Sequence, residues 1–213
     1  MSAPLLAHLD ASFAPPPFEA RIAEEVLGPS GATGTPHRKL LEAQNGGFFF
    51  GGALHLFGAC AAPPWHGLGA WNDPAAWRAR YGALAGGLTF FAEDAFGDQF
   101  AYTGRGGEVV SFEAELGRVV PAAPTFRDWI DALVEAPHLV LPIDLVAREA
   151  ERGRRGGPGQ HLFAHPPLFS VEAEQGVTIG VVDALEAMRF RGALAAQIHG
   201  LPTGTRVKIE IGE

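Results

Sequence analysis

The side chains best placed for chemistry are three carboxylates in the segment AEDAFGD, where Glu93, Asp94 and Asp98 lie close together. Such a group on one turn could bind a divalent cation, or could offer an acidic patch to a basic partner. The segment lacks the alternating oxygen ligands and the terminal glutamate of an EF-hand loop. Because aspartate and glycine also shape turns between strands, we expect a turn here rather than a metal site.

Other catalytic and metal-binding patterns are weak. His161 and His165 are four residues apart, but Pro166 and Pro167 follow them and argue against a helix that would unite two ligands. The sequence contains no GxSxG nucleophile elbow, no P-loop lysine and no GxGxxG spacing. Cys60 lies among small apolar residues, which predicts a packed thiol. We therefore expect no catalytic residue, no metal and no cofactor.

Two tryptophans could contact a partner. Trp65 and Trp71 lie in a loop rich in proline and glycine. A loop tryptophan can anchor another protein, or it can fill the rim of its own domain's core, and both interpretations stay open here. The predicted partner-binding residues are Trp65, Trp71, Asp73, Glu93, Asp94, Asp98, Glu113 and Glu115.

Charge and composition limit the class of partner. The chain has 16 Lys and Arg residues against 24 Asp and Glu residues, a net charge of −8. This balance disfavours nucleic acid, and it suits a basic protein or simply solubility. A single cysteine excludes an internal disulfide and fits a reducing compartment. No signal peptide is recognisable, and glycines and prolines interrupt the uncharged stretch 43–72, so we expect a cytoplasmic protein without a membrane span.

Short strands and helices must position these residues. Apolar runs near 47–50 and 53–57 predict two core strands, and runs at 88–91, 99–103 and 109–112 predict three more around the carboxylates. Amphipathic spacing predicts a short helix from Phe18 to Val26. Cap-like starts at Thr35, Asp73 and Thr125 predict further helices.

The order of these elements resembles the SUKH superfamily, the SMI/KNR-type proteins. The matching motifs are LLEAQNGGFFF, ALHLFG, AAWRARY, FFAEDAFGDQFAYT, GEVVSFEAELG and TFRDWIDALV, and together they extend from Phe18 to Glu135. The resemblance implies a non-enzymatic binding domain. Many bacterial members act as immunity proteins that neutralise polymorphic toxins, and fungal relatives act as interaction hubs.

The C-terminal part is not explained by this resemblance. Its patterns predict a short helix at 142–152, a hairpin from Leu168–Ala173 and Val177–Val182, a helix after Asp183, and a half-buried strand from Thr205 to Ile211. So few residues cannot bury their own apolar strands, which predicts that they pack against the rest of the chain.

The sequence therefore predicts an α+β fold, a mainly antiparallel sheet flanked by helices, with a C-terminal α/β extension. The expected divisions are an N-terminal arm at 1–17, a SUKH-like core at 18–137 and the extension at 138–213. The expected function is protein binding without catalysis, specifically the covering of a toxin's active surface. A regulatory or scaffolding module without a toxin partner is one alternative, and a carboxylate-dependent hydrolase is the other.

Overall fold

A computed structural model describes residues 3–28, 35–104, 107–202 and 204–207. In these residues, six strands form one antiparallel sheet in chain order, and two more form a separate hairpin. The sheet strands are β1 (Gly47–Phe49), β2 (Leu54–Leu56), β3 (Leu88–Asp94), β4 (Gln99–Thr103), β5 (Val109–Glu113) and β6 (Arg118–Ala123). The hairpin strands are β7 (Gln160–His165) and β8 (Thr178–Asp183). The predicted α+β class with a mainly antiparallel sheet is confirmed.

Helices lie before, between and after the strands. They are α1 (Ala3–Leu6), α2 (Ala20–Leu27), α3 (Pro36–Ala43), α4 (Leu68–Trp71), α5 (Ala79–Tyr81), α6 (Phe126–Glu135), α7 (Pro137–Val140), α8 (Ile143–Glu151) and α9 (Ala184–Ile198). A π-helical turn, Pro74–Arg78, leads into α5. The predicted caps are present, since the Thr35 hydroxyl accepts the Arg38 N–H and the Thr125 hydroxyl accepts the Asp128 N–H.

Aromatic side chains fill the core on both faces of the sheet. Phe90 and Phe91 are consecutive in β3 and so point to opposite faces. The Phe90 ring lies 4.9 Å from the Trp77 ring, and the Phe91 ring lies 5.0 Å from that of Trp129 in α6. All four side chains are buried. The sheet is therefore covered on one face by α6 and on the other by the turn that leads into α5.

The C-terminal elements pack against this sheet layer. Gly192 of α9 lies against α5, where a Cβ atom would come within 2.8 Å of the Tyr81 ring. The Leu162 N–H of β7 donates to the Ala95 carbonyl at 2.8 Å. Leu162, Met188 and Ala195 are buried in the same apolar core as β3. These contacts place β7 and α9 directly on the sheet layer.

The two outer strands of the sheet are protected in different ways. Next to β1, the Asp10 N–H donates to the Phe48 carbonyl and the Phe50 N–H donates to the His8 carbonyl. The other outer strand, β6, is exposed along most of its length and contains Pro121. Proline cannot donate to a further strand, and it is typical of sheet edges.

The predicted C-terminal hairpin was wrong in its first strand. Val181 and Val182 do lie in β8, but their partners are Leu162 and His161 rather than the segment Leu168–Ala173. That segment forms part of the β7–β8 connection, with a 3-10 turn from Val171 to Gln175. In the predicted strand from Thr205 to Ile211, residues 205–207 are irregular and 208–211 lie outside the described residues.

Replacing Gly192 with alanine tests the contact between α9 and α5. Alanine normally favours a helix over glycine, but here its methyl group would meet the Arg80 Cβ at 2.7 Å and the Tyr81 ring at 2.8 Å. We expect Gly192→Ala to lower the free energy of unfolding by about 1–3 kcal/mol, measured by urea denaturation. Ala196→Ser on the exposed side of α9 is the control, with an expected change below about 0.5 kcal/mol. A stabilised Gly192→Ala variant would contradict this packing.

Candidate functional site

The most concentrated chemistry in the described structure surrounds Glu93, near the end of β3. The sheet register places His55 of β2 and Gln99 of β4 directly opposite it. His55 Nδ1 lies 2.9 Å from Glu93 Oε1, and Gln99 Nε2 donates to Glu93 Oε2 at 2.9 Å. The Glu93 residue is only 4 % exposed. A carboxylate this deeply buried is stable only because several donors surround it.

The hydrogen-bond directions fix the proton positions on the histidines of β2 and its neighbouring loop. His66 Nε2 lies 3.1 Å from the Asn45 carbonyl, which can only accept, so that nitrogen carries a proton. Burial, and then His55, lowers the pKa of His66 to about 3, and its Nδ1 is therefore an acceptor at neutral pH. His55 Nε2 lies 2.9 Å from that nitrogen and donates to it.

One proton must then lie between His55 Nδ1 and Glu93. Burial alone would raise the pKa of Glu93. The nearby His161 and then His55 outweigh burial and lower this pKa to about 2. The carboxyl group is therefore ionised and accepts from the donors around it, with His55 Nδ1 at 2.9 Å.

The C-terminal elements reach the same carboxylate. Arg191 Nη1 of α9 lies 3.3 Å from His161 Nδ1, and a guanidinium can only donate. His161 Nδ1 therefore accepts, and the opposite ring nitrogen, Nε2, lies 3.1 Å from Glu93 Oε2. This contact is poorly aligned for a hydrogen bond, and Nε2 has no other partner in the described part of the chain. His161 is 1 % exposed and Arg191 is 2 % exposed.

Two further carboxyl groups, those of Asp94 and Asp98, lie beside Glu93 at the turn that follows β3. Asp94 Oδ1 accepts the N–H groups of Phe96 and Asp98, at 2.8 and 3.0 Å. Asp98 Oδ1 accepts the Ala114 N–H at 2.8 Å. Burial, and then the neighbouring Asp98 carboxylate, raises the pKa of Asp94 well above its ordinary value. The predicted turn is therefore present, and the two carboxyl groups that shape it, Asp94 and Asp98, repel each other.

A narrow cleft leads to this cluster from the surface. The cleft is lined by Gly51, Gly52 and the segment 154–157, together with His55, Glu93 and His161. The enclosed space is about 20 Å³, room for one or two water molecules. No group of three or more His, Cys, Asp or Glu side chains in the described ranges is arranged to hold a metal ion.

The structure separates the predicted partner-binding residues. Trp71 is fully buried and donates to Gln99 Oε1 at 2.8 Å, and Glu93 is inside the cluster described above. Neither can reach a partner, so the prediction is corrected for these two. Trp65 is half-buried beside Phe48.

The remaining predicted carboxylates have local partners. Asp94 and Asp98 turn back onto the backbone, and exposed Asp73 accepts the Ala75 N–H. The Glu113 carboxylate pairs with Arg118, and Glu115 Oε2 accepts the Leu168 N–H at 3.0 Å. Of the eight residues, Glu115 contacts an exposed apolar segment.

That segment is the connection between β7 and β8. Leu168 is 49 % exposed, Phe169 is 38 % exposed and Val171 is 70 % exposed. The carboxylates of Glu172 and Glu174 follow in the same connection, and both residues are exposed. We call Glu115, Leu168, Phe169, Val171, Glu172 and Glu174 the loop surface.

Sequence reasoning missed most of the buried cluster. His55 lies in β2, the strand next to the outer strand β1, and its side-chain partners come from distant parts of the chain. His66, His161 and Arg191 carried no recognisable motif. A usable signal was the position of His55 in an otherwise apolar strand, LHL, because a polar side chain there needs a buried partner.

Comparisons with known proteins show the fold and nothing finer. No protein-family model matches the chain, and no curated protein matches it. Among solved structures, Atu4351 from Agrobacterium tumefaciens is similar, with a TM-score of 0.55 and 17 % identity. The similarity covers 91 % of this chain and 89 % of that chain. In the described residues, no helix has both the length and the apolar character needed to cross a membrane.

Removing the charge of Glu93 tests the buried carboxylate. Glu93→Gln keeps the size of the side chain but removes the ionised acceptor that His55 and Gln99 share, and we expect a loss of about 3–5 kcal/mol in the free energy of unfolding at pH 7. Urea denaturation measures the loss. Glu113→Gln removes a solvent-exposed pair and should cost below about 1 kcal/mol. Equal losses in the two variants would contradict this role of the buried carboxylate.

The Asp94–Asp98 repulsion predicts an unusual pH dependence. Because the folded-state pKa of Asp94 is raised, its contribution to stability is present at low pH and is lost as pH rises through that pKa. Asparagine can accept the same two N–H groups without a charge. We therefore expect Asp94→Asn to be more stable than the unaltered protein at pH 8, with a gap that closes toward pH 4. Asp73→Asn, at an exposed cap, should show no such trend in urea denaturation.

Proposed function

We propose that this protein is a non-catalytic protein-binding domain that contacts its partner through the loop surface. The observation that carries the proposal is the exposure of three large apolar side chains, Leu168, Phe169 and Val171, within four residues of one connection. Contiguous exposed apolar side chains with a polar rim are typical of protein–protein contact sites. The backbone at Leu168 is held by Glu115, so the apolar side chains start from a partly ordered position.

The charge of the loop surface suits a basic partner. Glu172 and Glu174 lie next to the apolar residues, and Glu115 lies beneath them. With a net charge of −8, the whole chain would attract a basic protein over a distance, and the rim carboxylates would orient it. Apolar contact would then supply most of the affinity once the two surfaces meet.

The specific role we propose is that of an immunity protein, which neutralises a toxin by covering its active surface. The support is the resemblance of the motifs between Phe18 and Glu135 to the SUKH superfamily, together with the acidic rim. In this mechanism the partner is inhibited by occlusion, and the chain needs no reactive group. The Glu93 cluster then has a structural task, since it holds the start of β7, at the end of the hairpin opposite to the loop surface, against the sheet.

A comparison of variants in an affinity experiment tests the proposal. A triple variant, Leu168→Ser, Phe169→Ser and Val171→Ser, should lose the partner that the unaltered protein retains from its own organism's lysate, with affinity for the purified partner lowered about 100-fold or more. Leu139→Ser is the matched control, because Leu139 is 88 % exposed but belongs to α7.

The dependence on salt separates the possible partners. A basic toxin-like protein should bind more weakly at high salt, and Glu172→Lys with Glu174→Lys should weaken it further. A salt-indifferent complex with another cellular protein, still lost in the triple variant, would indicate a regulatory module instead. Undiminished binding by the triple variant would refute the loop surface as the contact site.

A further inference from the structure

Arginines are concentrated where α8 ends and the wall of the cleft begins. Arg148, Arg152, Arg154 and Arg155 fall within eight positions of an otherwise acidic chain. Glu149, which is 1 % exposed, forms hydrogen bonds with two of them, and its Oε1 lies 3.7 Å from Arg148 Nε. Its Oε1 accepts from Arg152 Nη1 at 2.8 Å, and its Oε2 accepts from Arg154 Nε at 2.7 Å. One buried carboxylate thus fixes the guanidinium groups at the surface.

Most of the guanidinium N–H groups remain available after these contacts. Each guanidinium has five N–H donors, and Glu149 occupies only part of those on Arg152 and Arg154. Arg155 makes no hydrogen bond or close ion pair within the described ranges. Asp10 is within electrostatic reach of it, but the Asp10 carboxylate is held chiefly by the Ser12 N–H. Arg154 and Arg155 both line the cleft.

The interior of the cleft is compatible with an anion. The Glu93 carboxylate is turned toward His55, whose Nδ1 lies 2.9 Å from Oε1, and the raised pKa of Asp94 reduces the charge beside it. The His161 Nε2 group lines the cleft and has only its poorly aligned contact with Glu93. Gly156 and Gly157 in the same wall carry no side chain that would block approach to the backbone.

We propose that the mouth of this cleft binds an oxyanion, a phosphate or carboxylate group, through Arg154 and Arg155. The planar guanidinium fork matches the paired oxygens of such groups. The enclosed space of about 20 Å³ admits a single oxygen in place of water, so the rest of the ligand stays at the surface. This site is separate from the loop surface and needs no protein partner.

NMR titration of the ¹⁵N-labelled full chain with inorganic phosphate at low salt tests the proposal. We expect saturable shifts at the amides of 154–157 and 160–162, and an affinity about tenfold lower or more in Arg155→Ala. Because Arg155 has no close partner among the residues that the structure describes, its removal leaves the Glu149 contacts intact. Arg148→Ala is the matched control: it removes a charge from the same helix end but not from the cleft, and should change the affinity less than about twofold.

Two further probes identify the source of the oxyanion. Tighter binding of phenyl phosphate or benzoate than of inorganic phosphate would support the terminal group of a larger ligand. Preference for inorganic phosphate would support the free anion. Equal weakening by Arg155→Ala and Arg148→Ala would show only diffuse charge attraction and would overturn the proposal. So would the absence of saturable shifts with all three probes. Either failure leaves the proposed protein-binding function unaffected.

Discussion

The buried negative charge of Glu93 is the constraint on which much of this structure depends. Taking an unpaired carboxylate out of water costs several kcal/mol, so the surrounding chain must supply donors. Those donors come from separate places in the sequence: His55 from β2, Gln99 from β4 and His161 from β7. A single side chain therefore links the first and last thirds of the chain, and it favours the one arrangement in which the C-terminal hairpin lies on the sheet.

Local patterns were sufficient for most of the fold. Apolar runs separated by glycine pairs predicted β1 to β5, and cap residues such as Thr35 and Thr125 predicted where helices begin. These signals are local because strand periodicity and capping depend on neighbours in the chain. β6 was missed because its side chains are exposed and Pro121 interrupts it. The first strand of the C-terminal hairpin was misplaced because His161 is buried, whereas its sequence context suggests a polar loop.

The candidate sites depended on information that the sequence does not hold locally. The sequence showed Glu93 and its neighbours as a carboxylate cluster, but it did not show which face of the sheet each side chain lies on. That face depends on the register of the strands. His55, Glu93 and His161 meet only through tertiary packing. The exposure of Phe169 was equally hidden, because an apolar run in a sequence predicts burial unless the fold leaves it without a neighbour.

The pairing of residues 8–10 with β1 has a consequence for self-association. Those residues occupy backbone groups of Phe48 and Phe50 that would otherwise be open to another chain. An uncovered, apolar outer strand is a template on which a second molecule can add its own strand, and then a third. The N-terminal arm thus works as a built-in terminator of sheet growth. A chain that lost it through proteolysis would also lose the buried Leu5 side chain from its core, and would acquire a tendency to polymerise.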